Sequence, residues 1–179
     1  MSRIRIVAPL CFALILALLG PAARAQPAPA AGVDSSDVLE VTGKVVQPRS
    51  FSHADLAGLP ALTLPVTYGS GQGIESATFS GPTLLEVIQA AGGPALDPNR
   101  KNDRLRLYVV ATGSDGYQAV IAWGEIDPDF GGQPILVAYA ENGQDLPAEQ
   151  GMARLVVPGD KRGGRHVNHL IRLDVQTAS

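Results

Sequence analysis

The chain has 179 residues, room for one domain of ordinary size and too little for two substantial ones. Its 14 Lys+Arg against 17 Asp+Glu give a net charge of −3, which speaks against a surface that coats nucleic acid. Charged residues at 17% and apolar residues at 45% exclude a disordered charged tail and leave a globular domain with ample core. The single cysteine, Cys11, excludes an internal disulfide framework and a multi-cysteine metal site.

Arg3 and Arg5 precede an apolar run from Ile6 to Leu19, followed by Gly20-Pro21 and Ala23-Arg24-Ala25. A charged start, an apolar centre and a small-x-small site in this order predict a cleaved signal peptide over residues 1–25. The apolar stretch, about 14 residues, falls short of the roughly 20 that span a bilayer. Cys11 lies inside that stretch rather than at a cleavage boundary, which argues against a lipoprotein. Cleavage after Ala25 removes three arginines, so Lys+Arg fall from 14 to 11 against 17 acids, a balance of −6. The exported chain, periplasmic or secreted, then has no thiol to serve as nucleophile or metal ligand.

Gln26–Gly32, with its Pro-Ala repetition, opens a flexible linker over residues 26–37, ahead of a domain at 38–179. Val38–Val45 alternates as a half-buried strand does. Ser52 is placed to cap a short helix through Ala54-Asp55-Leu56 that Gly58 and Pro60 stop. Leu62–Thr67 suits a strand, and Tyr68–Gly73 reads as a flexible loop. Leu84, Leu85 and Ile88 give Pro82–Ala91 one apolar helical face, ended by Gly92-Gly93. Leu105–Ala111 and Gln118–Ala122 are rich in β-formers, with a tight turn at Ser114-Asp115-Gly116 between them. Ile135–Tyr139, Ala153–Val157 and Val167–Val175 complete the strands. The fold class is α+β, β-dominated, in layered sheets with few helices.

Three stretches could carry chemistry. Pro158–His166 holds Lys161, Arg162 and Arg165 among three glycines, so backbone amides can approach an anion while side chains neutralise it. A solvated basic turn is the plainer alternative. Asp115-Gly116-Tyr117 and Trp123-Gly124-Glu125 pair carboxylates with aromatics, as a flat heterocycle requires, unless the rings are packing residues. His166 and His169 fall on a predicted strand and so point to opposite faces, which with no Cys and no HExxH pattern leaves no metal site expected. His53, beside a helix start, suits local hydrogen bonding, and Asp127 and Asp129 around Pro128 read as solvated turn residues.

The order of these pieces resembles the oxidoreductase molybdopterin-binding domain of the sulfite oxidase superfamily, in its small stand-alone exported form. The resemblance runs through Ala77–Ile88, Ser114–Tyr117, Glu125–Pro128, Ile135–Tyr139 with Asn142-Gly143, and Gly151–Lys161. It implies layered sheets holding a pterin cofactor. Under it, the cofactor-binding residues are Asp115, Tyr117 and Trp123 for the ring, and Lys161, Arg162 and Arg165 for the anionic side. Arg154, on the strand leading into the basic loop, completes the set. Catalytic members ligate molybdenum through a cysteine thiolate in the segment before the Pro82–Ala91 helix; here Val66-Thr67-Tyr68-Gly69-Ser70 has none. The resulting expectation is a non-catalytic exported protein that binds a pterin or molybdopterin-like ligand, with no metal, and responds to it beside an exported or membrane protein. The alternatives are a molybdopterin-dependent oxidoreductase and a ligand-free interaction module on the same scaffold.

Overall fold

The computed structural model describes Asp37–Ala178, so the expected signal peptide and nearly all of the expected linker lie outside the described residues. Two neighbouring apolar runs organise the architecture. β7 (Leu136–Ala138) and β10 (Arg154–Val156) pair antiparallel. Ile135, Val137, Leu155 and Val157 enter the larger core, while the alternating Leu136, Ala138 and Val156 enter a smaller one. A strand pair buried on both faces needs continuous rather than alternating apolar sequence, as Ile135–Tyr139 and Ala153–Val157 provide.

The larger core is closed by a five-stranded sheet in the order β2-β1-β11-β5-β6. Its members are β1 (Leu39–Gly43), β2 (Arg49–Phe51), β5 (Leu107–Gly113), β6 (Gln118–Ala122) and β11 (Leu170–Thr177). Only the β1–β11 pairing is parallel. The capping box between Ser52 and Asp55 starts α1 (His53–Ala57). Thr83, whose Oγ1 accepts from Glu86 N–H at 3.1 Å, starts α2 (Leu84–Ala90), and Leu84, Val87 and Ile88 bury its inner face. The sequence places this helix two residues early, because Pro82 still belongs to the preceding strand.

The smaller core lies under a second sheet, β3-β4-β8-β9. Its strands are β3 (Ala61–Ser70), β4 (Gly73–Pro82), β8 (Ala140–Glu141) and β9 (Gln144–Asp145). The segment Tyr68–Gly73 is therefore not a loop. β3 runs on to Ser70, pairs with Gly73, and leaves only Gly71-Gln72 to turn. The inward residues Leu64, Val66 and Tyr68 keep the period of two that the glycines obscure. The outer edge of β3 is blunted. Gly69 N–H donates to Lys161 O at 3.0 Å, away from β4, so every second residue back along the strand also points its backbone outward. Pro65 falls at one of those positions and offers no N–H.

The expected strand Val167–Val175 starts later, at Leu170. His166 closes a 3₁₀ turn over Gly163–Arg165 and His169 adopts φ +47°, so neither histidine belongs to a strand. Among the described residues no helix is long and apolar enough to cross a membrane. Gly81 lets β4 approach β7 closely: a Cβ there would overlap the Val137 carbonyl oxygen. Gly81→Ala is expected to destabilise the fold by about 1–3 kcal/mol, read as a lower urea midpoint at unchanged slope.

Candidate functional site

Arg154 is the one arginine of the buried class among the described residues, at 6% exposure. It lies on β10 with the parity of Val156, so its side chain enters the smaller core. The guanidinium sits 5.0 Å over the Phe79 ring and 5.7 Å from that of Tyr68. Its charge reaches two carboxylates through neutral relays. Nη1 donates to Gln150 Oε1 at 2.7 Å and Gln150 Nε2 donates to Glu141 at 2.5 Å. Nη2 donates to the Tyr68 hydroxyl at 3.0 Å, which donates to Glu75 at 2.8 Å. Burial pushes the Tyr68 phenol above its usual range, so it stays protonated and donates. Hydrogen bonds, first from Ser70 and then from Tyr68, hold the Glu75 carboxyl below its ordinary value.

This relay floors a cavity of about 550 Å³, large enough for a bicyclic ligand. Tyr68–Gly71 lines it beside the adjoining loop, which contributes Arg162, Gly163, Gly164 and His166 to the rim. Gly163 is required there, since a Cβ would lie 2.8 Å from Tyr68 Cδ2. The rim loop is fastened at three points. Gly69 and Arg162 bridge in parallel to β3, Tyr117 donates its hydroxyl to Gly164 O at 2.5 Å, and Arg165 spans two acids. Arg165 Nε and Nη2 both reach Asp160 at 2.8 Å, and Nη1 reaches Glu125 at 2.8 Å. Those bonds hold the Asp160 carboxyl below its usual range.

The structure does not bring the seven predicted residues together. Arg154 and Arg162 line the cavity, and Arg162 makes no ion pair among the described residues. Arg165 is consumed by Asp160 and Glu125 and is not available to an external anion. Lys161 contributes its backbone carbonyl to Gly69, and its side chain is not part of the lining. Tyr117 is a tether for the rim rather than a cavity wall, and Asp115 accepts from Tyr117 N–H at 2.9 Å in the turn before β6. Trp123 opens α3 (Trp123–Ile126), is buried, and faces a separate cavity of about 360 Å³ beside Leu85 and Pro94. Its indole N–H donates to Asp127 at 2.9 Å. The recess drawn from Trp123, Asp115 and the basic loop is thus not one recess.

Two smaller expectations change with it. Asp127 is buried rather than solvated, paired with Arg104 at 3.2 Å, and Asp129 meets the same arginine at 2.7 Å. His53 Nε2 is buried without a hydrogen-bond partner, so this nitrogen does not make the local hydrogen bond foreseen, and Asp145 stands 3.7 Å from it. Sequence reasoning passed over Tyr68, Glu75 and Gln150. For Tyr68 the signal was present, in the alternation of Leu64, Val66 and Tyr68.

Residues 27–179 match the family model described as the oxidoreductase molybdopterin binding domain. The chain belongs to this family. It is 33% identical over 111 residues to mitochondrial sulfite oxidase of Macaca fascicularis, covering 58% of this chain and 18% of that protein. The crystal structure of the sulfane dehydrogenase SoxCD from Paracoccus pantotrophus superposes with a TM-score of 0.62 at 23% identity. That superposition covers 80% of this chain and 39% of the other, and it shows a shared fold. The chain thus spans well under half the length of either relative. The β-dominated layered architecture is that of the molybdopterin-binding domain of the sulfite oxidase superfamily.

Measured against the cofactor that the family name implies, the side chains divide. The cavity offers volume, a cation in Arg162 and buried polar atoms for an organic ring. The donors at the position where the resemblance calls for a thiolate are the hydroxyls of Tyr68 and Ser70, which are hard oxygen ligands. Cys11 lies ahead of the family match. The residues fit the organic part of molybdopterin and do not supply the sulfur ligand of its metal. Because Asp160 has a depressed pKa in the folded state, its contribution is present above about pH 4 and lost as pH falls through the folded value. Arg165→Ala is expected to lower the urea midpoint at pH 7, with the gap to the parent protein narrowing by pH 3.

Proposed function

We propose that this chain is an exported pterin-binding protein that performs no oxo-transfer. The observation that carries the reading is the Tyr68 cavity itself, cationic at floor and rim, in a domain without a single cysteine. Membership of the molybdopterin-binding family supports a pterin or molybdopterin-like ligand. The sequence of residues 1–25 supports export to the periplasm or beyond. Without the thiolate, binding rather than turnover is the function, and the bound state is read by another exported or membrane protein.

The anionic side of the ligand meets Arg162 and the backbone of Gly163-Gly164, while the ring lies against Tyr68. Arg154 acts from beneath: its charge orients the Tyr68 hydroxyl and keeps the floor electropositive. The second cavity, beside Trp123, takes no part in this reading, because the indole N–H and the Asp127 carboxylate satisfy each other.

Protein purified from a host that makes molybdopterin is expected to release pterin fluorescence on denaturation and to hold far less than stoichiometric molybdenum. Stoichiometric metal would instead establish the oxidoreductase alternative; no released pterin, with no binding to oxidised or reduced pterins in calorimetry, would leave an interaction module. Arg162→Ala is expected to weaken pterin binding by about tenfold or more, the scale of one charge-assisted hydrogen bond. Trp123→Phe is expected to leave that affinity unchanged, and a comparable loss there would move the site to the other cavity.

A further inference from the structure

The cavity beside Trp123, which the pterin reading leaves unused, is bordered by exposed apolar side chains. Leu85, Pro94, Leu96, Pro128 and Trp123 contribute apolar lining to its volume of about 360 Å³. Four of the eight large apolar side chains left exposed among the described residues gather around it. Leu96 lines it directly. Val46 packs on Gly92, another lining residue: a Cβ added there would lie 3.0 Å from Val46 Cβ. Phe130 lies under the lining residue Arg104, whose guanidinium stands 5.1 Å from the ring centroid. Leu105 follows Arg104 and approaches Gly124, beside Trp123, where an added Cβ would lie 3.6 Å from Leu105 Cδ2. Exposed apolar residues clustered in this way mark an interaction surface, whereas scattered ones need no explanation.

The charged groups of the cavity decide what it accepts. They are Arg104, Asp127 and Asp129, one cation against two carboxylates. Arg104 is committed to Asp127 at 3.2 Å and to Asp129 at 2.7 Å, and the Trp123 indole N–H is committed to Asp127 at 2.9 Å. Asp127 is buried, whereas Asp129 is 65% exposed and its Oδ1 has no hydrogen-bond partner among the described residues. A surplus negative charge with a free acceptor thus stands at the edge of an apolar recess. A small apolar cation would satisfy the recess alone and leave Val46, Leu105 and Phe130 in water. A polypeptide covers both.

We infer that this patch docks a partner protein through a segment that carries an aliphatic or aromatic side chain beside a lysine or arginine. The apolar side chain enters the recess as an anchor, and the cation meets Asp129. A second copy of this chain fits worse, because each copy brings the same surplus carboxylate and a net negative charge. Nothing in this docking involves the Tyr68 cavity, so the pterin reading survives or fails on its own.

The test selects a displayed library of random peptides on the purified protein and counter-selects it on Leu96→Asp. The enriched peptides are then synthesised and titrated while the emission of Trp123, the one tryptophan of the chain, is followed. They are expected to carry an apolar residue next to a lysine or arginine and to shift Trp123 emission on binding. Asp129→Lys is expected to bind them about tenfold more weakly, and Asp129→Asn to lose affinity in the same direction. Leu96 and Asp129 are both exposed, and circular dichroism checks that the variants fold as the parent does. Enriched peptides that are acidic or carry no cation, that bind Leu96→Asp equally well, or that leave Trp123 emission unmoved overturn the assignment, as does the absence of any enriched peptide. A concentration-dependent dimer of the parent in sedimentation, lost in Leu96→Asp, gives the patch to a second copy and overturns it as well.

Discussion

A single buried guanidinium sets the terms for the second half of this molecule. Taking a charge out of water carries a desolvation penalty that only well-placed polar partners offset. Arg154 meets it through two neutral intermediaries, Gln150 and Tyr68, each of which passes the charge to a carboxylate on a different strand. β10 carries the arginine, β3 the tyrosine, β4 one carboxylate and β8 the other. Four strands are thereby tied to one ion, and the cavity exists because those ties hold the Tyr68 ring upright between floor and rim.

The basic loop illustrates how little formal charge says about availability. Its cations have similar sequence neighbourhoods but separate fates. Arg165 is spent on Asp160 and Glu125 and serves as a brace, and Lys161 matters through its backbone carbonyl. Arg162 alone brings an uncommitted charge to the cavity. Preorganisation of this kind lowers the ordering cost that a ligand otherwise meets on binding. Arg162 is held in place through the tethers of its neighbours.

Much of the fold was legible in the sequence. The apolar runs around Val137 and Leu155 are unambiguous because both faces are buried, and the Ser52 capping box is a local code. β4 was not read as a strand, since its outward face carries Ser76, Thr78 and Ser80, which resemble loop composition. The site was legible only in part. Arg162 could be named from the glycine-rich pattern, but which acid captures Arg165 depends on a contact forty positions distant in the chain. Trp123 misled for a different reason: its indole N–H is taken by Asp127, only four residues on, so it does not join Asp115. Tyr68 was hidden by the glycines that follow it.

Pro65 has a consequence for how this protein behaves among its own copies. A ten-residue border strand is the natural place for two chains to zip together and propagate into fibres. At the middle of that border an incoming chain meets a pyrrolidine ring where it needs an amide, and the last free amide toward the tip is already engaged by Lys161. An added strand therefore finds no continuous template along this border.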